Sequence, residues 1–194
     1  MQTTQTSPPA RPKRFTVEDY HCLTELGFLR EDDRIELIRG ELFEMAARGT
    51  AHETCITRLI RLLVPLVGEQ ATLRCQSPIR IAFDGEPEPD FSIVQNREDD
   101  YATAHPTAEE TLLVIEVADS SLEYDRTVKL SLYAEAQIPL YWLFNLPDCC
   151  LEVYSEPAAI GSSFGYLNRR IITAGTVALL DGELSVDRVL GAGG

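Results

Sequence analysis

The chain has no Cys-x-x-Cys pair, no apolar run of membrane-spanning length and few basic residues for its acids. Each of these shortages excludes something. The cysteines, Cys22, Cys55, Cys75, Cys149 and Cys150, are odd in number and two are adjacent, which fits neither a zinc site nor a disulfide framework. Unpaired thiols point to a reducing, cytoplasmic setting. Apolar stretches break off too early to span a bilayer, and the opening MQTTQTSPPARPKR has no hydrophobic signal core, so neither a membrane anchor nor secretion is expected. With 17 Lys and Arg against 31 Asp and Glu, the net charge is −14, which argues against strong nonspecific binding to a polyanion unless a local basic patch dominates a cleft.

What remains is an ordinary soluble composition, 44% apolar and 25% charged over 194 residues, enough for one domain with a sizeable core. Residues 1–14 are polar and proline-rich and read as a disordered lead-in, leaving residues 15–194 as a single domain. No internal repeat or linker divides it.

Local patterns give an order of elements. Thr16 and Asp19 form a cap pair for a helix over residues 16–26, with Gly27 as its stop. RIELI and ELFEM read as two short strands joined at Arg39-Gly40. Thr50 with Glu53 predicts a capping box for a second helix, whose stripe is Ile56, Leu59, Ile60, Leu63 and Val67; His52 falls on that inward stripe, and Pro65 should kink or end the helix. PIRIAF and DFSIV are strand candidates around the acidic turn DGEPEP, residues 95–110 look like loop, and TLLVIEVA is the most buried strand. Ser120 with Glu123 predicts another capping box, for a helix to about Ala136 that Ile138-Pro139 breaks. LYWLFNL, CCLEVYS, YLNRRIIT and TVALL are further strands, with a short helix near residues 186–190. The fold class is α/β, α+β-like: a mixed central sheet flanked by helices, with an N-terminal β-hairpin.

The chemistry concentrates in TLLVIEVADSSLEYDRTVK. Glu116 lies in a run typical of a buried strand, where an ionised carboxylate needs compensation. Two sources are at hand: Lys129 on the following helix, or a metal ion shared with Asp90 of the Glu-Pro-Asp that opens an earlier strand. Asp90 begins its strand and Glu116 ends its own, so both carboxylates fall at one end of the sheet. Two hard oxygen ligands completed by water suit Mg²⁺. Lys129, in the early turns of its helix, leans back toward that end, with Asp125 one turn earlier and placed to orient the ammonium. Each residue also has a plainer reading: Glu116–Lys129 as a buried ion pair, Asp90 as a turn residue, His52 as a satisfied core histidine, Glu36 as a solvent-facing strand acid, Asp125 as a first-turn helix acid.

Pro89-Asp90, Glu116 and a downstream lysine resemble the PD-(D/E)XK nuclease superfamily. RIELIRGELFEM, the His52 helix, EPDFSIV, VIEVADSSLEYDRTVKLSLYA and IPLYWLFN resemble, more closely, the bacterial restriction endonuclease family of the Uma type. The similarity runs from about Phe15 to Leu190. It implies a restriction-endonuclease-like fold and Mg²⁺-dependent hydrolysis of DNA phosphodiesters, with Mn²⁺ as a substitute. Asp90, Glu116 and the backbone carbonyl of Val117 would hold the metal, Lys129 would assist catalysis, and Glu36 and His52 would lie near the same cleft. Ala118 stands where the wider superfamily has its lysine, which this subfamily moves onto the next helix. Gln137 and Leu140 replace a common glycine and glutamate, away from the metal site. Many nucleases of this kind act as homodimers, but no residue pattern here sets the oligomeric state. The competing expectation is a catalytically silent nucleic-acid-binding or assembly module on the same fold; a third is hydrolysis of another phosphate ester.

Overall fold

The computed structural model describes residues 11–191. Helix α1 (Val17–Glu25) starts with the expected capping box, Thr16 and Asp19 bonding each other's backbone N–H. Strands β1 (Ile35–Ile38) and β2 (Glu41–Glu44) then form the expected hairpin. Its two turn residues, Arg39 and Gly40, both have left-handed backbones, φ 50° and 75°, as a tight two-residue hairpin requires. A side chain at position 40 would also collide with Arg14, whose Cβ lies 2.6 Å from where a Cβ would sit. Of the proposed tail, residues 1–10 lie outside the described residues. Residues 11–14 have no regular structure, yet Lys13 pairs with Asp19 and Arg14 with Glu41.

The centre is a six-stranded sheet of β3 (Thr72–Cys75), β4 (Phe91–Val94), β5 (Thr111–Ala118), β6 (Leu140–Asn145), β7 (Cys150–Ile160) and β8 (Ser163–Ile172), hydrogen-bonded in that order. Only β5 and β6 run parallel, so the sheet is mixed. A parallel pair needs a crossover. Here it is α3 (Leu122–Tyr124), a π-helical segment Asp125–Lys129 and α4 (Leu130–Glu135). β5 is buried along nearly all its length, which is why its sequence is a continuous apolar run rather than an alternation. Its odd residues, Ile115 and Val117, join Trp142, Phe144 and the stripe of α2 (Thr50–Val67) in one core. That core is closed by β9 (Thr176–Leu179), β10 (Gly182–Ser185) and α5 (Val186–Leu190). Val114 and Ala118 face the other way, toward Leu132, Tyr133, Ile138 and Tyr141. Leu59 and Leu63 are fully buried, each contributing about 2–3 kcal/mol through burial. Among the described residues no helix is long and apolar enough to cross a membrane.

Several local expectations are corrected. Pro65 neither ends nor breaks α2, which runs on to Val67. In the last turn its missing N–H costs one bond, while Leu63 and Val67 hold the turn to the core. Thr50 is the first helical residue, not the cap; Gly49 caps α2 without a side-chain bond. The Ser120–Glu123 box is also absent, because Ser121 is the cap and its hydroxyl donates to Asp125 at 2.6 Å. PIRIAF forms isolated bridges instead of a strand. Ala82 turns left-handed, and Ile81 N–H returns to Gly85 O at 2.8 Å. The strand that does pair with β4 is β3, residues 72–75, which the sequence pattern did not single out; β10 is likewise an addition.

Candidate active site

Antiparallel pairing of β4 with β5 sets Phe91 opposite Ile115, and this register brings Asp90 beside Glu116. The Asp90 N–H donates to Glu116 Oε2 at 3.2 Å, and the Val117 N–H donates to Asp90 Oδ2 at 2.9 Å. Two carboxylates 26 residues apart are thus tied together by the sheet backbone. Both are buried, each 5% exposed.

Lys129 reaches the same point from the π-helical segment. Its ammonium donates to Glu116 Oε1 and to Glu36 Oε1, each at 3.0 Å, and lies 2.9 Å from Glu36 Oε2. Glu36 therefore faces inward and is buried, not exposed on the hairpin. Tyr133, one helical turn beyond Lys129, donates its hydroxyl to Glu116 Oε1 at 2.7 Å. Burial raises the Glu116 pKa, Lys129 opposes that rise, and Asp125, Asp90 and Glu36 add to it. For Lys129, burial works against the charge, but Glu116, Glu36 and Asp125 outweigh it and hold the ammonium well above its ordinary range.

His52, on the first turn of α2, bridges the two strands. Nδ1 lies 2.9 Å from the Val117 carbonyl oxygen and Nε2 lies 3.1 Å from Asp90 Oδ1. A carbonyl only accepts, so Nδ1 carries a proton toward Val117 while Nε2 faces the Asp90 carboxyl. Burial lowers its pKa, but the Asp90 hydrogen bond and charge more than offset this and raise it above the ordinary value. Asp125 is buried here too, its pKa pushed up to about 6 by burial. It makes no ion pair with Lys129 among the described residues; its carboxylate accepts from Ser121 instead. The expected orienting contact fails because this segment is π-helical, and its i→i+5 bonding does not stack residues four apart as an α-helix does.

Asp90, Glu116, Glu36, Lys129, His52 and Asp125 line a cleft of about 310 Å³, together with the more exposed Arg34, Arg48, Glu88, Asp119 and Tyr124. Four buried acids, Glu36, Asp90, Glu116 and Asp125, face one buried lysine, Lys129, and one buried histidine, His52. Such an acid excess suits a bound cation. The oxygen set of Asp90, Glu116 and the Val117 carbonyl fits a hard divalent ion. Among the described residues no three His, Cys, Asp or Glu side chains gather as a metal cluster, so an ion here would have to rest on two carboxylates and a carbonyl and take its other ligands from water. Tyr133 and Tyr124 went unnoticed in the sequence. The Tyr124 hydroxyl is buried without a hydrogen-bond partner among the described groups, and only its place one residue before Asp125 marked it.

The architecture is a mixed α/β fold: a mixed sheet with helices on both faces and paired acids at adjoining strand ends. The same fold occurs in a solved structure described as "a putative nuclease belonging to DUF820" from Anabaena variabilis ATCC 29413. It matches with TM-score 0.70 and 13% identity, covering 91% of this chain and 98% of that one. Comparison with curated proteins finds no match. The model of the Uma2 family, described as "Putative restriction endonuclease", matches residues 17–184. The chain belongs to the Uma2 family, which supports a nuclease role.

Proposed function

We propose that this protein is a Mg²⁺-dependent DNA endonuclease that hydrolyses phosphodiester bonds. The observation that carries this reading is the convergence of Asp90, Glu116 and Lys129 within hydrogen-bonding distance of one another's partners in one cleft. Asp90, Glu116 and the Val117 carbonyl are the groups that would hold the ion. When bound, Mg²⁺ supplies water activation and neutralises charge on the phosphoryl oxygens, and Mn²⁺ would substitute. Lys129 keeps its proton at Nζ. Two of its three N–H donors go to Glu36 and Glu116, and the third is left for an attacking water or a phosphoryl oxygen. Tyr133 and Glu36 fix Glu116 and Lys129 in place, and His52 locks the Asp90 carboxylate to the β5 backbone.

Purified protein with Mg²⁺ or Mn²⁺ should nick plasmid DNA. Asp90→Ala should abolish nicking while circular dichroism stays that of the wild type; a mutant that cuts as fast as wild type refutes the assignment. A second reading, a catalytically silent binding or assembly module, draws on the net charge of −14 and on the internal pairing of the site's own charges. It predicts no specific Mn²⁺ site. Calorimetric Mn²⁺ binding that disappears in Glu116→Ala would eliminate it.

A further inference from the structure

We infer that Arg34 and Arg48 hold the sugar–phosphate backbone of the nucleic acid beside the cleaved bond, an inference that rests on the nuclease reading above. The cleft poses an electrostatic problem. Six acids line it, Glu36, Glu88, Asp90, Glu116, Asp119 and Asp125, in a chain of net charge −14. A polyanion approaching it needs local attraction. Lys129 and His52 are buried on the floor of the cleft and each already faces an acid of the chain itself. The other two basic side chains lining it are Arg34 and Arg48, and neither is fully engaged. Arg48 lies 3.6 Å from Glu88, beyond hydrogen-bonding distance, with its side chain 24% exposed. Arg34 forms no ion pair among the described residues. One nitrogen, Nη1, donates to the Ala46 carbonyl at 2.6 Å, leaving the remaining guanidinium donors unspent.

The backbone around both arginines is organised to present them. Arg34 has a left-handed conformation, φ 51° and ψ 52°, which costs a non-glycine residue about 1 kcal/mol and persists only where the surroundings hold it. Those surroundings are the stretch from Met45 to Gly49: Met45 N–H donates to the Arg34 carbonyl at 2.9 Å, and Arg34 bonds Ala46 in return. Arg48 belongs to the same stretch, so the two guanidinium groups ride on one hydrogen-bonded unit. The neighbours of Arg48 are Ala46, Ala47 and Gly49, short residues that keep this wall low and let a bulky backbone approach. Guanidinium groups match phosphate oxygens in a bidentate way. The contact is to phosphate, so it positions the nucleic acid without reading its sequence. The arrangement separates two tasks: acids on the floor for a cation, arginines on the edge for the phosphates.

The test is duplex-DNA affinity of the full chain, measured by fluorescence anisotropy against NaCl concentration, in Ca²⁺ so that binding is read without turnover. Each of Arg34→Gln and Arg48→Gln should weaken binding and reduce the slope of log K against log[salt] by about 0.9, the value for one phosphate contact. The double variant should lose about twice that, while calorimetric Mn²⁺ affinity stays at the wild-type value. Arg48→Lys should keep the slope. If Arg34→Gln fails to fold, Arg48→Gln alone carries the test, since Arg48 has no hydrogen bond to lose. Wild-type binding with slope and affinity unchanged in Arg48→Gln overturns the inference and leaves the nuclease reading standing. A wild type that neither binds nor cuts DNA overturns both.

Discussion

Replacing Lys129 by Met probes the buried charge balance of the site directly. Met matches the length and girth of lysine's aliphatic stem, so little cavity is opened. What is lost is the cation between two acids, Glu36 and Glu116, each buried and each within 3.0 Å of Nζ. Glu116 would keep the Tyr133 hydroxyl and the Asp90 N–H, but Glu36 would keep no side-chain donor among those described. Removing one partner of a buried ion pair typically costs roughly 3–5 kcal/mol, and Lys129→Met should fall in that range at pH 7. Adding Glu36→Gln removes one stranded charge and should recover roughly 1–2 kcal/mol. The deficit should also depend on pH. Buried carboxyls without a cation take up protons more readily folded than unfolded, so the penalty is smallest below the ordinary carboxyl range and grows as pH rises toward 8. Urea unfolding followed by fluorescence of the single tryptophan, Trp142, buried on the opposite face, reads both effects. A loss under about 1 kcal/mol at pH 7, flat with pH, would show that Lys129 does not neutralise these acids and would refute the reasoning.

Gln137 follows α4 with φ 59°, a backbone conformation that favours glycine, and its exposed side chain bonds only the Ala134 carbonyl. Gln137→Gly should stabilise the fold by roughly 0.5 kcal/mol, the relief of strain less the extra freedom of the unfolded chain, measurable as a small rise in urea midpoint. Glu152 is fully buried: desolvation raises its pKa, but hydrogen bonds from Arg126, Tyr154 and Asn145 and the charge of Arg169 win and lower it to about 2. A depressed carboxylate stabilises above its unfolded pKa and loses that contribution as pH falls through the folded value. Glu152→Gln should therefore be less stable than wild type by on the order of 3 kcal/mol at pH 7, with the gap closing between about pH 4.5 and 2 in parallel acid-unfolding curves.

The parts of the fold legible from sequence were those with strong local rules. The Thr16–Asp19 cap, the Arg39-Gly40 turn and the unbroken apolar run of β5 each pointed to one structure, and Glu-Pro-Asp and Val-Ile-Glu-Val placed two acids at matching strand ends. What escaped notice depended on contacts between distant elements. Glu36 sits in a four-residue strand buried on both sides, so alternation could not tell its inward direction; Lys129, 93 residues away, decides it. The π-helical turn leaves no mark in apolar spacing, so Asp125 was expected to face Lys129. Tyr133 gave no signal of its own: its ring is buried in the core and only the hydroxyl at its tip reaches Glu116. PIRIAF had the composition of a strand but meets a left-handed Ala82, while the less apolar TLRC found the open edge of β4.

The net charge gains a local meaning from the structure. Excess acid lines the floor of the cleft, where the proposed cation would take its oxygen ligands. Family membership supports a nuclease role from the whole chain, and the proposed arginine contact would seat such a substrate with a handful of side chains.

The measurement that tests the account most directly is the anomalous diffraction of crystals soaked in Mn²⁺. The account predicts a peak in coordination range of an Asp90 oxygen, a Glu116 oxygen and the Val117 carbonyl, and its loss in crystals of Glu116→Ala. Well-ordered soaked crystals in which Lys129 and His52 keep their present partners and no ion contacts these three oxygens would contradict it.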